Sequence, residues 1–231
     1  MRVLVAIVTL AATVHAQQRV LDSGTLMISR AGVLIGREEF TIRSGRASGS
    51  GDGFTIAATA YYPADRSQAS LAITVELAAD SEPASFQLNV LDQRQLNVLD
   101  QRQRRIYAQL GPRRVTVRTL TASGESVREY PGGSRTLAAD DSSFALYAVL
   151  PGRAAGTVQM ISPREGRRAA HELKDLGLER TDVGARSVEL HHLVLDGPSL
   201  THLWFDEHDR LIKAEVPGAG LAASRAPTPQ R

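Results

Sequence analysis

FTIAATAYY (Phe54–Tyr62) and ASLAITVEL (Ala69–Leu77) decide the fold. In the first, Phe54, Ile56, Ala58, Ala60 and Tyr62 alternate with Thr55, Ala57, Thr59 and Tyr61. In the second, Leu71, Ile73, Val75 and Leu77 alternate with Ala72, Thr74 and Glu76. A period of two places each set on one face of a β-sheet. Similar runs occupy 24–29, 34–43, 84–91, 104–110, 114–121, 125–130, 156–161, 168–175, 186–195, 200–206 and 210–216. Turn residues punctuate them, among them Gly111-Pro112, Ser123-Gly124, Pro131-Gly132-Gly133, Gly197-Pro198 and Glu207 to Asp209. Short strands joined by tight turns predict a mainly β protein. The expected architecture is an antiparallel β-roll or half-open barrel of about 10–12 strands.

One segment departs from this pattern. Asp140-Asp141-Ser142-Ser143 precedes FALYAVLPG, which ends at Pro151-Gly152. Acidic and hydroxyl residues cap helix starts, and Pro-Gly stops them, so a short helix is expected near 140–150. Phe144, Tyr147 and Leu150 would share one face. Such a helix either packs as part of the core or lids a cavity in the sheet, and β folds favour ligand sites at such mouths.

The ends of the chain read differently. MRVLVAIVTLAATVHA (1–16) has one charge, Arg2, an apolar run from Val3 to Val14, and small residues Val14 and Ala16 at the positions that precede cleavage. This is the shape of a signal peptide, with export to the periplasm or beyond and a mature chain starting at Gln17. The apolar run is too short for a transmembrane helix, which needs about 20 residues. Residues 17–220 then form a single β-roll domain. The stretch 221–231, with Pro227 and Pro229, is expected to be a flexible tail.

The chain has 231 residues, 42% hydrophobic and 23% charged, a globular composition. It contains no cysteine, which removes disulfides, thiol catalysis and thiolate zinc sites. Basic residues number 27 and acidic residues 25, with only Lys174 and Lys213 as lysines, so the composition argues for no nucleic-acid partner. Residues 88–95 and 96–103 repeat the octapeptide LNVLDQRQ in tandem. Eight is even, so an inserted copy keeps the in/out phase of a strand.

Signals for chemistry are sparse. There is no Gly-x-Ser-x-Gly, and Ser48 to Gly53 is a glycine-rich connection without the Lys of a phosphate loop. His191 and His192 are adjacent on a strand and so face opposite sides, which prevents joint chelation. Asp206-Glu207-His208-Asp209 gathers possible ligands, but in a turn, where Asp serves the backbone. No catalytic residue, metal or cofactor is therefore assigned. Trp204 shares a face with His202 and Asp206 while Leu203 and Phe205 share the other, which predicts a strand covered on both sides.

From Leu88 to Arg118 seven arginines stand against Asp92 and Asp100. Of these, Arg104, Arg105, Arg113 and Arg114 flank Gly111-Pro112, where a hairpin would place their strands side by side. They form either a rim for anionic head groups or a solvated face.

The C-terminal stretch HLWFDEHDRLIKAEVP (His202–Pro217) is similar to the strand, Trp-x-Asp, turn, Leu-hydrophobic-Lys ending of bacterial periplasmic families of unknown function. GREEFTIR (Gly36–Arg43) resembles their second strand, and VREYPGG (Val127–Gly133) and ISP (Ile161–Pro163) follow in compatible order. Asp209 stands where a turn glycine is usual. The resemblance implies a spiral β-roll or half-barrel like that of lipoprotein carriers, with a cavity for an acyl chain. The resulting expectation is an exported, non-enzymatic binder or carrier of a lipid or other apolar ligand. In it, Phe144, Tyr147 and Leu150 would touch the chain and Arg104, Arg105, Arg113 and Arg114 the head group. A filled-core structural or protein-interaction module of the envelope is the alternative, and a hydrolase of scattered Ser, His and Asp a more distant one.

Overall fold

The computed structural model describes residues 18–46, 52–65, 69–80, 82–92, 104–184 and 186–227. The expected leader and the cleavage site expected after it, most of the glycine-rich loop, residues 93–103 of the duplication and the last four residues lie outside this set.

Fifteen strands are formed by the described residues. The first eight are β1 (Val20–Arg30), β2 (Val33–Ser44), β3 (Gly53–Tyr62), β4 (Ala69–Ala78), β5 (Pro83–Asp92), β6 (Arg104–Leu110), β7 (Arg114–Thr121) and β8 (Gly124–Pro131). The remainder are β9 (Thr136–Ala138), β10 (Gly156–Ser162), β11 (Arg167–Val183), β12 (Arg186–Asp196), β13 (Thr201–Phe205), β14 (Leu211–Val216) and β15 (Leu221–Arg225). They make one open sheet in the order β8 through β1, then β15 back through β9. Every pairing is antiparallel except that of β9 with β10. The sheet does not close into a barrel. It rolls instead, and β9 at one end comes against β5 and β6 near the other.

The alternation read from the sequence is the one that packs. Ile56, Ala60, Leu71, Ile73, Val75 and Leu77 join Phe86, Leu88, Ile106, Val115 and Val117 in one core cluster. Leu26, Ile28, Phe40, Leu193, Leu195, Leu203, Phe205 and Leu211 form a second. Both lie on the inner face of the roll, since residues two apart on a strand share a face.

Two expectations need correction. The strand number exceeds about 10–12 because β9 and β15 are short and carry little β-branched bulk. Leu221–Arg225, expected to fray with the rest of the tail, is hydrogen-bonded to β1 on one side and β14 on the other. The short helix expected near 140–150 is present, as a single 3₁₀ segment, Ala145–Val149. Seven residues from Phe144 to Leu150 give an α-helix few internal bonds, and tertiary partners take the backbone groups instead.

That segment, with residues 140–144 before it, lies inside the roll as a plug. Phe144, Ala145 and Leu150 are buried in one core cluster and Leu146 in the other. It therefore joins the two halves of the sheet.

Candidate functional site

The plug is held by an acidic residue on the inner face of β2. Gly36, Glu38, Phe40 and Ile42 point inward by alternation, and Glu38 is 0% exposed. Its Oε2 accepts the backbone N–H groups of Phe144 at 2.8 Å and Ala145 at 3.0 Å. Its Oε1 accepts a short hydrogen bond from the Ser143 hydroxyl. Burial pushes the Glu38 carboxyl above its ordinary range, and these donors oppose that rise. A Cβ on Gly36 would sit 2.5 Å from the Tyr62 ring. The glycine thus makes the seat in which Tyr62 lies to donate its hydroxyl to the Ser142 carbonyl at 2.8 Å. Arg164 completes the clasp with an Nε contact of 2.8 Å to buried Asp140 and an Nη2 bond to Ser142 Oγ at 3.0 Å.

Beside the plug lies a pocket of about 440 Å³. Its walls are Ile42 of β2, Phe54 and Ile56 of β3, Leu77 of β4, and Ala148, Val149 and Pro151 of the plug. Leu21 and Asp22 of β1 and the β13–β14 turn residues His208, Asp209 and Arg210 complete it. The walls are apolar, and the charged groups come from one end of β1 and one turn. Asp206 organises that turn by accepting the backbone N–H groups of His208 and Arg210, both at 3.0 Å. Asp209 takes φ 59°, the left-handed region in which glycine is usual and Asp is tolerated.

The residues singled out from the sequence are placed as follows. Phe144 and Leu150 are core anchors, 2% and 0% exposed, and neither lines the pocket. Tyr147 packs against the same core, its ring centroid 6.4 Å from that of Phe144, and lines a separate cavity of about 70 Å³. Burial pushes its phenol up to about 12, so it stays protonated at neutral pH. The plug contacts the pocket through Ala148, Val149 and Pro151 instead.

The four arginines are not gathered at its mouth. The hairpin does form, but Arg104 and Arg105 begin β6 while Arg113 and Arg114 lie past its other end, roughly 20 Å away at 3.4 Å per residue. Arg104 donates to the Arg164 carbonyl at 2.9 Å. Arg114 pairs with Glu129 of β8 at 3.2 Å, and Arg105 and Arg113 are exposed.

Adjacent histidines on β12 do part company. His191 bonds Asp175 at 2.7 Å. On the outer face, His192 uses one ring nitrogen toward Glu179 at 2.5 Å and the other toward His202 at 2.9 Å. The His192 ring stacks on Trp204 with centroids 4.6 Å apart, and Lys213 lies 4.7 Å from the Trp204 ring centre. Side chains of neighbouring strands therefore cover the second face of β13, the strand expected to be covered on both sides.

With this geometry in hand, comparison with known proteins adds the fold. No protein-family model and no curated protein matches the chain. Among solved structures, the chain is similar to a β-barrel-like protein of domain of unknown function DUF1849 from Brucella abortus, with a TM-score of 0.52 and 9% identity. The match covers 88% of this chain and 94% of that one. At this identity the likeness shows a shared fold and leaves residue roles to the local geometry.

Sequence reasoning missed Glu38 and the β13–β14 turn as parts of the site. The signal for Glu38 was available: its parity with Phe40 and Ile42 puts a carboxylate on the core face. For the turn, Asp209 in a glycine position was the visible sign.

Proposed function

We propose that this protein is an exported, non-enzymatic binder or carrier of a lipid or other apolar ligand, held in the pocket beside the plug. One observation carries the reading: a pocket of about 440 Å³ with apolar walls and charged groups confined to one end. That volume falls in the usual range for small-molecule sites, about 300–1,000 Å³, and the lining has the usual character of such sites. The lipoprotein-carrier-like roll suggested by the sequence motifs supports an acyl chain as the occupant. Export rests on the leader pattern in residues 1–16, and N-terminal sequencing of the secreted protein is expected to begin at Gln17. An intact Met1 on a folded cytoplasmic product would contradict it.

The test of binding is native mass spectrometry with lipid extraction on protein purified from the periplasm. A co-purifying apolar molecule, lost when Ala148→Trp fills the pocket, is the expected result. A second reading, a structural or interaction module of the envelope, is favoured by the plug itself, which occupies the interior and leaves Phe144 and Leu150 almost fully enclosed. Absence of any ligand in the parent protein, and no binding of added alkyl chains, would decide for that reading.

A further inference from the structure

The charged groups at the mouth of the pocket leave an excess of negative charge, and the inference from it rests on the pocket being a ligand site. Arg210, the one cation among the lining residues, is already matched: its Nε donates to Asp206 Oδ2 at 2.7 Å and its Nη2 lies 2.6 Å from the same oxygen. Asp22 is matched from the other side by Arg225, whose two terminal nitrogens reach its carboxylate at 3.0 and 2.5 Å. That guanidinium also donates to the Ser23 carbonyl at 2.7 Å and lies 5.2 Å from the Phe40 ring centre. Gly24 makes room for it, since a Cβ there would meet Arg225 at 3.0 Å. These two pairs cancel. What is left at the mouth is Asp209, whose carboxylate has no ion-pair partner among the described residues. Beside it stands exposed Glu207, whose contact with His208, 3.7 Å, balances charge only when the imidazole is protonated.

We propose that the pocket selects single-chain amphiphiles whose head group is cationic, an alkyl amine or quaternary ammonium in chemical class, over chains ending in carboxylate or phosphate. The apolar walls bind the alkyl chain of either kind equally, so the head decides. A cation at the mouth meets the unmatched Asp209. An anion meets that same charge and finds every lining guanidinium engaged. The site is the pocket; Asp209 sets its preference.

The experiment is displacement of the neutral fluorophore N-phenylnaphthylamine from the mature protein. The competitors are dodecyltrimethylammonium, neutral monododecanoylglycerol and dodecanoate, each below its micelle-forming concentration. An exposed ion pair is worth up to about 1 kcal/mol, a factor of about five, so the ammonium is expected to displace at a concentration roughly two- to fivefold lower than dodecanoate in low salt. The gap should close in high salt, where screening shortens to about 3 Å at 1 M. It should also close in Asp209→Asn, which keeps the left-handed turn because Asn tolerates it as Asp does. Asp209→Gly, which favours that turn further, provides a second neutral variant. Equal displacement by all three competitors, or strongest displacement by dodecanoate, overturns the head-group preference while the pocket stands. A gap that survives in both variants overturns the assignment to Asp209. Failure of the fluorophore and of all three chains to bind overturns the pocket reading itself, and this inference with it.

Discussion

Glu38 and Phe144 stand 106 residues apart in the chain, yet the Glu38 carboxylate accepts the Phe144 backbone N–H at 2.8 Å inside the roll. With Ala145 and Ser143 as its other donors, one side chain of β2 replaces the cap and the first internal bonds that a longer helix would supply for itself.

Removing that acceptor should be costly. Glu38→Ala leaves two buried N–H groups and one hydroxyl without their partner, and each unsatisfied group costs about 1–3 kcal/mol. A loss of at least about 3 kcal/mol is expected in urea unfolding. Glu38→Gln keeps an acceptor oxygen at the same place and should lose under about 1.5 kcal/mol. Equal losses in the two variants would show that the carboxylate's charge, not its acceptor role, holds the plug.

The pH dependence follows from burial. Desolvation raises both Glu38 and Asp140 above their ordinary values of 4.5 and 3.8, with Arg164 opposing the rise at Asp140. A carboxyl with a raised folded pKa binds its proton more tightly in the native state. The stabilising contribution of these two groups is therefore full below their unfolded values and is lost as pH rises from there through the folded ones. Unfolding free energy measured from pH 4 upward should show this falling component, and Glu38→Gln should flatten it. A slope unchanged by that substitution would assign the pH dependence elsewhere.

Plug residues should divide by the side they face. Phe144→Ala is expected to cost about 3–5 kcal/mol and Leu150→Ala about 2–5, because both are enclosed in the core. Ala148→Trp projects into the pocket, and its main effect should be loss of apolar-probe binding at a melting temperature close to the parent's. If Phe144→Ala abolished binding with little loss of stability, the core assignment would be wrong.

Deleting Leu96 to Gln103 should leave stability within about 1 kcal/mol. The first copy supplies the paired part of β5, where Leu88 faces Ile106 and Val90 faces Arg104. After the deletion, Leu91 to Gln95 would connect Val90 to Arg104, a five-residue hairpin loop of an ordinary length. A loss of several kcal/mol on thermal or urea unfolding would show that both copies are integral to the sheet.

The strands of this protein were legible because their faces are chemically distinct: Leu71 to Leu77 and Ile56 to Ala60 repeat every second residue and pack as they read. β9 and β15 were not legible, since Thr136–Ala138 is too short for a period and Leu221–Arg225 is mostly small residues. The plug was visible as a break in the alternation. Its conformation was not, because the partner that shapes it, Glu38, lies on a distant strand. The arginines misled for a related reason. Close in sequence, Arg105 of β6 and Arg114 of β7 lie at opposite ends of the β6–β7 hairpin, and linear charge density says nothing about whether either end meets the pocket.

β15 comes last in sequence order among the described strands and yet lies in the interior of the sheet order, where Leu26 of β1 faces Arg225. During synthesis, β1 to β8 can pair in succession as neighbours, and so can β10 to β14. The two arcs share no strand pairing until β15 is made. Until then β1 and β14 both present bare edges able to recruit a foreign strand. Completion of the sheet thus waits for β15: without it, nearly every core residue is present, the plug and β9 still touch both arcs, and yet no backbone pairing unites them.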